Sequence, residues 1–291
     1  MSRVDLERVM NGKVVLITGA NSGIGKETAL GLAKMGASLV LVCRDKGKGE
    51  AAREEIAKAT GNGSIELLVA DLLLQREVRR VAAEFKDNHP RLDVLINNAG
   101  ASFTGYAETE DRVERAMAVN YFTPFLLTNL LLDTLKKSSP SRVVNVASSE
   151  HYGGHLDLNN VSRDRRMGVV GSGAYSRSKL ALILFTYELA KRLQSTGVTV
   201  NCLHPGAVRT NIWSHAGAFT ALFRLLSVFM LSAEKGAETS IYLASSPEVE
   251  GMSGKYFEKR MPKRSSETSY EEALAKKLWD ISMRTTGLMA A

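Results

Sequence analysis

Short, continuous apolar runs alternate along the chain with longer stretches in which apolar residues recur at helical spacing. A short apolar run is typical of a strand that is buried on both faces of a parallel sheet. Such runs lie at 13–18, 38–43, 65–69, 93–97, 142–147, 198–203 and 254–257. Helical patterns lie at 23–35, 50–59, 75–86, 108–137, 174–193, 233–244 and 270–283. This alternation predicts an α/β fold with a doubly wound parallel sheet.

The domain organisation follows from length and composition. The chain has 291 residues, 44% of them hydrophobic, and it has neither a Pro/Ser-rich linker nor an internal repeat. We therefore expect a single domain over 1–291, with a C-terminal extension at about 258–291. The stretch at about 211–231 is strongly apolar, with Arg224 as its only fixed charge between 212 and 231. It is either a lid over a substrate pocket or an amphipathic core helix.

The charge pattern narrows the class of partner. The formal net charge is +7, but basic residues are dispersed among acidic ones, with no arginine-rich arm. This argues against nucleic acid and favours a small molecule that carries phosphate. The first 13 residues are polar and no apolar run is long enough to span a bilayer. With two cysteines, the chain is expected to be cytoplasmic, without a transmembrane segment; peripheral membrane contact is compatible with the pattern, and the oligomeric state is left open.

A glycine-rich turn follows the first strand. The sequence from Gly19 to Gly25 has the spacing G-x-x-x-G-x-G and leads into a helix. Glycines let the backbone approach a pyrophosphate, and a helix N-terminus offers it unpaired N–H groups. The turn therefore indicates a dinucleotide site, although glycine turns also arise for steric reasons alone. The residues expected at the cofactor are Gly19, Asn21, Ser22, Gly23, Ile24 and Gly25.

The residue after the second strand bears on the choice of dinucleotide. An NAD-specific site commonly has an acidic residue there, whereas this chain has Arg44, which suits a 2′-phosphate and favours NADP(H). The alternative is a surface arginine. Asp45 is a complication, because it could pair with Arg44 or bind a ribose itself.

Further cofactor contacts are expected where later strands end. Asp71 and Leu72 follow the third strand, where an adenine edge could be read. The sixth strand ends in a sequence that Pro205 and Gly206 break, and backbone there can face a ligand. The fourth strand runs into a turn of small residues, which either ties strand ends together and meets a ribose or is an ordinary turn. That turn contains Asn98, Ala99 and Gly100.

Tyr175 and Lys179 stand four residues apart at the start of a long helical pattern, which places both side chains on one helix face. An ammonium beside a phenol favours the phenolate, so this tyrosine could exchange a proton with an alcohol or carbonyl oxygen. Ser148 and Ser149 end the fifth strand, at the edge where such sheets bind ligands. Each of these features also occurs on surfaces without function.

Asn120 lies within the predicted helix at 108–137, four residues before Pro124. Proline has no N–H, so the Asn120 carbonyl loses its helical partner and is free to hold a water. A simple kink is the alternative.

The connection from Ser148 to Tyr175 is long and irregular, as pocket-shaping loops often are. His151 and His155 within it have the spacing of a metal pair, but Gly153 and Gly154 argue against a helix there, and we expect no metal.

In combination, these features resemble the short-chain dehydrogenase/reductase family over most of the chain. The resemblance is carried by T-G-x-x-x-G-x-G, N-N-A-G, the strand-end serine, Y-x-x-x-K and P-G, and it is strongest for the retinol dehydrogenase-like branch. It implies an NADP(H)-dependent oxidoreductase that interconverts an alcohol and an aldehyde or ketone, with a lipophilic substrate. An NADP-binding scaffold or sensor without turnover is the alternative.

The resemblance also implies residue roles. Tyr175 would be the acid/base, Ser148 would orient the substrate oxygen, Lys179 would hold the nicotinamide ribose and lower the tyrosine pKa, and Asn120 would position a relay water. Ala147 stands where relatives often have another serine, which leaves Ser148 the better assignment and Ser149 its rival. The residues that complete the expected cofactor site are Tyr175, Lys179, Pro205, Gly206, Val208 and Thr210.

Overall fold

A computed structural model describes residues 9–168, 171–208 and 231–289. Within these ranges the chain forms one eight-stranded sheet in the order β3-β2-β1-β4-β5-β6-β7-β8, in which only the β7–β8 pair is antiparallel. The strands are β1 Val14–Thr18, β2 Ser38–Cys43, β3 Ile65–Val69, β4 Val94–Asn97, β5 Ser141–Val146, β6 Val198–His204, β7 Tyr256–Glu258 and β8 Met261–Lys263. Strand order reverses between β1 and β4, which in such sheets opens a crevice at the carboxyl ends of the strands.

Helices cover both faces of the sheet. They are α1 Gly23–Lys34, α2 Lys46–Thr60, α3 Gln75–Asn88, α4 Arg115–Met117, α5 Thr123–Leu130, α6 Leu132–Lys137, α7 Ser172–Arg192, α8 Ala233–Ser245 and α9 Glu272–Thr285. A π-helix, Ala118–Phe122, joins α4 to α5, and 3₁₀ turns lie at Ser149–Gly153, Pro247–Val249 and Glu267–Tyr270. None of the described helices is both long and apolar enough to cross a membrane.

Successive residues of β1 pack into two different cores, one on each face of the sheet. Val15 and Ile17 pack with α1, α2 and α8 in one core, while Leu16 faces the core that contains α3, α5, α7 and α9. Successive strand residues point to opposite faces, so a strand covered on both sides must be apolar throughout. The predicted doubly wound fold is therefore confirmed.

The helical stretch predicted at 108–137 begins too early: residues 115–137 are helical apart from a turn at Leu131, but 108–114 are not. Glu108 and Glu114 form an isolated β-bridge, and α4 begins only at Arg115. The buried Glu114 carboxylate starts that helix, because it accepts hydrogen bonds from the N–H groups of Ala116 and Met117, both at 2.9 Å. In the sequence, a glutamate that caps a helix from a buried position looks the same as a glutamate on the exposed face of a helix.

Other boundaries differ less. The helix expected at 50–59 begins at Lys46, since the Asp45 side chain caps it by accepting from the N–H of Lys48 at 3.0 Å. The strand expected at 254–257 lies at Tyr256–Glu258, and a short antiparallel strand, β8, was not predicted. The lid expected at about 211–231 and the Thr210 position lie outside the described residues, except for Leu231.

Candidate active site

A cleft of about 880 Å³ lies along the carboxyl ends of the strands. The structure brings nearly all the predicted site residues to its walls, although they are spread over residues 19–208 of the chain. Asn120 lies directly behind the wall, and Thr210 is outside the described residues. The predicted residues that line the cleft are Gly19, Asn21, Ser22, Gly23, Ile24, Gly25, Arg44, Asp71, Leu72, Asn98, Ala99, Gly100, Ser148, Tyr175, Lys179, Pro205, Gly206 and Val208.

The glycine turn after β1 is packed so closely that no side chain fits at Gly19 or Gly25. A Cβ on Gly25 would stand 2.2 Å from the Gly19 carbonyl oxygen, and one on Gly19 would stand 2.9 Å from the Cα of Ala99. Gly19 also has a φ of +67°, a left-handed conformation that favours glycine. The Asn98 side-chain amide holds the turn by donating to the carbonyls of Thr18 and Gly19, at 2.9 and 3.1 Å. The amide thus joins the ends of β1 and β4, which was one of the two alternatives predicted for this turn.

The N-terminus of α1 faces this turn and has no side-chain cap. Ser22 is the N-cap residue, yet its side chain accepts no hydrogen bond from the helix, and the first turn has no acidic residue. Unpaired N–H groups and the positive end of the helix dipole therefore face the cleft, an arrangement that binds phosphate. The residues present here fit a dinucleotide.

Two basic side chains lie in the cleft wall just after β2. Arg44 and Lys48 both line the cleft and are exposed. Asp45 does not neutralise Arg44, because its carboxylate caps α2; the ion pairs among the described residues include Lys48 with Asp45, at 3.9 Å, but not Arg44. Asp71, across the cleft, accepts from the N–H of Leu73 at 3.1 Å. This part of the cleft offers positive charge beside a fixed carboxylate.

Tyr175, Ser148 and Lys179 are brought together at the other end of the cleft, and each is nearly buried. Burial raises the pKa of Tyr175 to about 12, although a hydrogen bond with the Ser148 side chain works to lower it. The expectation that Lys179 depresses this pKa does not match the structure, in which burial dominates. The Lys179 Nζ lies 5.5 Å from the Tyr175 ring centre and donates to the Val146 carbonyl at 2.8 Å. Burial lowers the pKa of Lys179 to about 7.

The two serines after β5 are now distinguished. The Ser148 side chain is the one that hydrogen-bonds Tyr175, and its hydroxyl also accepts from the N–H of Glu150 at 3.2 Å. Ser149 is exposed, and its N–H donates to Nδ1 of His204 at 3.2 Å. The geometry therefore favours Ser148 over Ser149.

Asn120 sits within the π-helix, where Pro124 follows at the start of α5. Its side chain is occupied structurally, because Oδ1 accepts from the N–H of Ala101 and Nδ2 donates to the Ala101 carbonyl, each at 2.9 Å. Nδ2 also donates to Ser178 Oγ, at 2.9 Å. The side chain thus links the loop after β4 to α7, on which Tyr175 and Lys179 stand.

Several cleft residues were not predicted as site residues. Asp45, Lys48 and Glu150 are the charged ones; Lys48 lies in the first turn of α2, close to the strand end at Arg44, and this nearness in sequence could have revealed it. The apolar ones carry no local signal, since their role depends on which strands and helices become neighbours. The unpredicted lining consists of Cys43, Asp45, Lys48, Ala70, Leu73, Ala101, Phe103, Val119, Val146, Ala147, Ser149, Glu150, His204 and Ala207.

The strand order, the glycine turn and the tyrosine–lysine–serine group define a class of oxidoreductase, and comparison with protein families agrees. Residues 13–220 match the family model described as short chain dehydrogenase. The chain therefore belongs to the short-chain dehydrogenase/reductase family, as the resemblance indicated.

Individual relatives are similar over nearly the whole chain. Retinol dehydrogenase 14 of Homo sapiens is 46% identical, over 97% of this chain and 88% of its own. Retinol dehydrogenase 13 of Homo sapiens is 42% identical, over 96% and 86%. Among solved structures, a protein from Mycobacterium Paratuberculosis has a TM-score of 0.78 and 33% identity, over 99% of this chain and 97% of that one. A short chain dehydrogenase from Shigella flexneri 2a, solved with NADP, has a TM-score of 0.71 and 26% identity, over 88% and 100%.

Proposed function

We propose that the protein is an NADP(H)-dependent oxidoreductase that interconverts an alcohol and an aldehyde or ketone, with a retinoid-like or long-chain aldehyde as the substrate class. The observation that carries this proposal is the hydrogen bond between Tyr175 and Ser148 at the cleft, with Lys179 one helical turn away. These groups can hold one substrate oxygen and exchange a proton with it.

The residue roles follow from this geometry. The Tyr175 hydroxyl gives its proton to the oxygen during reduction and takes it back during oxidation, while Ser148 orients that oxygen. Because its pKa is about 12, Tyr175 remains protonated at neutral pH and is ready to act as an acid. Lys179 and the Asn120 carbonyl would hold the ribose and a relay water. A bound nicotinamide supplies or accepts the hydride.

The preference for NADP(H) rests on the charges beyond β2. Arg44 and Lys48 line the cleft, and Asp45, which caps α2, forms its ion pair with Lys48 and not with Arg44. Phosphate is recognised well by guanidinium and ammonium groups together. The Shigella flexneri structure contains NADP, which supports the same assignment.

The substrate class rests on apolar lining and on the relatives. Leu73, Phe103 and Val119 contribute apolar surface to the cleft, and the relatives at 42–46% identity are named retinol dehydrogenases. The sequence at 212–231, which follows the cleft residues in the chain, is strongly apolar. Burial of each CH₂ contributes about 0.8 kcal/mol, so such a cleft favours long apolar substrates.

The test is turnover with NADPH across aldehydes, ketones, retinoids and sterols, followed by nicotinamide absorbance. Tyr175→Phe should lower kcat by about 10²- to 10⁴-fold while NADPH binding persists. Ser148→Ala should also lower kcat, whereas the matched variant Ser149→Ala should retain it. Binding of NADPH without turnover of any substrate would favour the scaffold or sensor, and near-normal turnover by Tyr175→Phe would refute the proposed mechanism.

A further inference from the structure

His151 is fully buried three residues after Ser148, at the beginning of the loop that leads to α7. Both of its ring nitrogens are engaged. Nδ1 lies 2.6 Å from the Ser148 carbonyl oxygen, and Nε2 accepts from the backbone N–H of Ser266 at 3.1 Å. Since a backbone N–H can only donate, Nε2 must be the unprotonated nitrogen. Nδ1 therefore carries the proton and donates to Ser148.

This ring joins parts of the chain that are 115 residues apart. The Ser148 carbonyl receives a second bond from the backbone N–H of His151, at 3.3 Å, so one residue holds it twice. The ring packs against the rings of Tyr152 and Tyr256, with centroid distances of 4.1 and 5.1 Å. Tyr152 also links this loop to the C-terminal part of the chain, because its hydroxyl donates to the Arg264 carbonyl at 2.8 Å.

The segment that His151 contacts is itself attached to α7. The Ser265 hydroxyl hydrogen-bonds the Tyr187 hydroxyl, on α7, at 2.6 Å, and the Ser269 hydroxyl at the same distance. The Tyr187 and Tyr270 rings stack at 5.3 Å. The C-terminal segment 264–270 is thus fastened to the helix that carries Tyr175 on one side and, through His151, to the backbone of Ser148 on the other.

We propose that His151 is a positioning residue, which sets Ser148 against Tyr175 by tying the serine backbone to the C-terminal segment 264–270. This rests on the proposed function, because it assigns Ser148 the task of orienting the substrate oxygen. The same two bonds occupy both ring nitrogens of His151.

The two ring bonds can be removed separately. An asparagine at 151 retains a donor near the Nδ1 position, a glutamine can reach the Nε2 position, and phenylalanine keeps the ring packing without either bond. We expect kcat to fall about 10- to 100-fold in His151→Phe, as for a small misplacement of a reacting group, while KM for NADPH is unchanged. His151→Asn should recover more kcat than His151→Gln. The exposed His155 provides the control His155→Asn, which should resemble wild type.

A backbone variant tests the second bond without altering His151. Ser266 has a φ of −60°, which proline adopts, so Ser266→Pro removes the donated N–H and places its ring Cδ toward Nε2 of His151, which breaks this contact. Ser266→Ala keeps that N–H, and the hydroxyl it removes donates to no described group. We expect faster amide hydrogen exchange in 148–154 for the proline variant only, together with a lower kcat.

The outcomes separate this proposal from the proposed function. If wild type is active and His151→Phe, folded by its melting temperature, keeps its kcat, the positioning role is overturned. Equal kcat losses in the asparagine, glutamine and phenylalanine variants also overturn it. Hydrogen exchange does not depend on turnover, so unchanged exchange in Ser266→Pro refutes the connection between His151 and the C-terminal segment even if wild type is inactive. Inactivity of wild type would by itself count against the proposed function.

Discussion

The buried Lys179 gives a sharp test of the electrostatics of this site. Burial lowers its pKa from the ordinary 10.5 to about 7. In the unfolded chain the ammonium is solvated and regains its ordinary pKa. Between these two pKa values the folded protein binds fewer protons at this position than the unfolded chain does, so stability must rise with pH in that window.

The magnitude follows from the linkage relation. Each pH unit inside the window changes the free energy of unfolding by about 1.4 kcal/mol. From about pH 7.5 to about pH 9.5, the contribution of Lys179 is therefore about 2.5 kcal/mol, after allowing for partial titration at both ends. Lys179→Met removes the titration while keeping an unbranched side chain of similar length. Other groups, such as Cys202, whose pKa burial raises to about 12, are common to both proteins and cancel in the difference.

The assay is urea denaturation of wild type and Lys179→Met at a series of pH values without added nucleotide. The wild-type free energy of unfolding, minus that of the variant, should increase with pH through the window. A flat difference would mean that Lys179 keeps its ordinary pKa in the folded state. A difference that falls with pH would mean that a partner stabilises its charge, and either result would refute the reasoning from burial.

Three further predictions concern the cofactor and substrate. Arg44→Ala should weaken NADPH binding about ten- to a hundredfold and leave NADH affinity nearly unchanged, because a charge-assisted hydrogen bond contributes about 1.5–3 kcal/mol. Lys48→Ala should have a smaller effect. Equal losses for both nucleotides would contradict the 2′-phosphate assignment. Gly25→Ala should destabilise the fold by about 1–3 kcal/mol and weaken NADPH binding, whereas Gly63→Ala, whose Cβ meets open space, should do neither in thermal melts and titrations. KM should fall about fourfold for each CH₂ added to an aldehyde, since burying a CH₂ contributes about 0.8 kcal/mol, and Phe223→Ser should flatten that series if the stretch at 212–231 covers the substrate. The same slope in both proteins would assign that stretch to packing.

Much of the fold could be predicted from the sequence because its signals are local. A strand buried on both faces must be apolar at consecutive positions, and a helix must be apolar at every third or fourth. The glycine turn could be predicted for a related reason, since close approach of backbone to backbone allows no side chain at Gly19 or Gly25. The spacing of Tyr175 and Lys179 placed them on one helix face without knowledge of the rest of the chain.

The tertiary structure alone decided the features that depend on distant partners. Glu114 begins a helix because its buried carboxylate accepts from the backbone N–H groups of Ala116 and Met117. Asp45 caps α2 and pairs with Lys48, not with Arg44. The pKa of Tyr175 is raised rather than lowered because it depends on how much water the surrounding elements exclude. His151 meets Ser266 across 115 residues, a contact that no periodicity records. Hydrogen bonds and desolvation of this kind are set by which surfaces meet, and local residue patterns contain no information about that meeting.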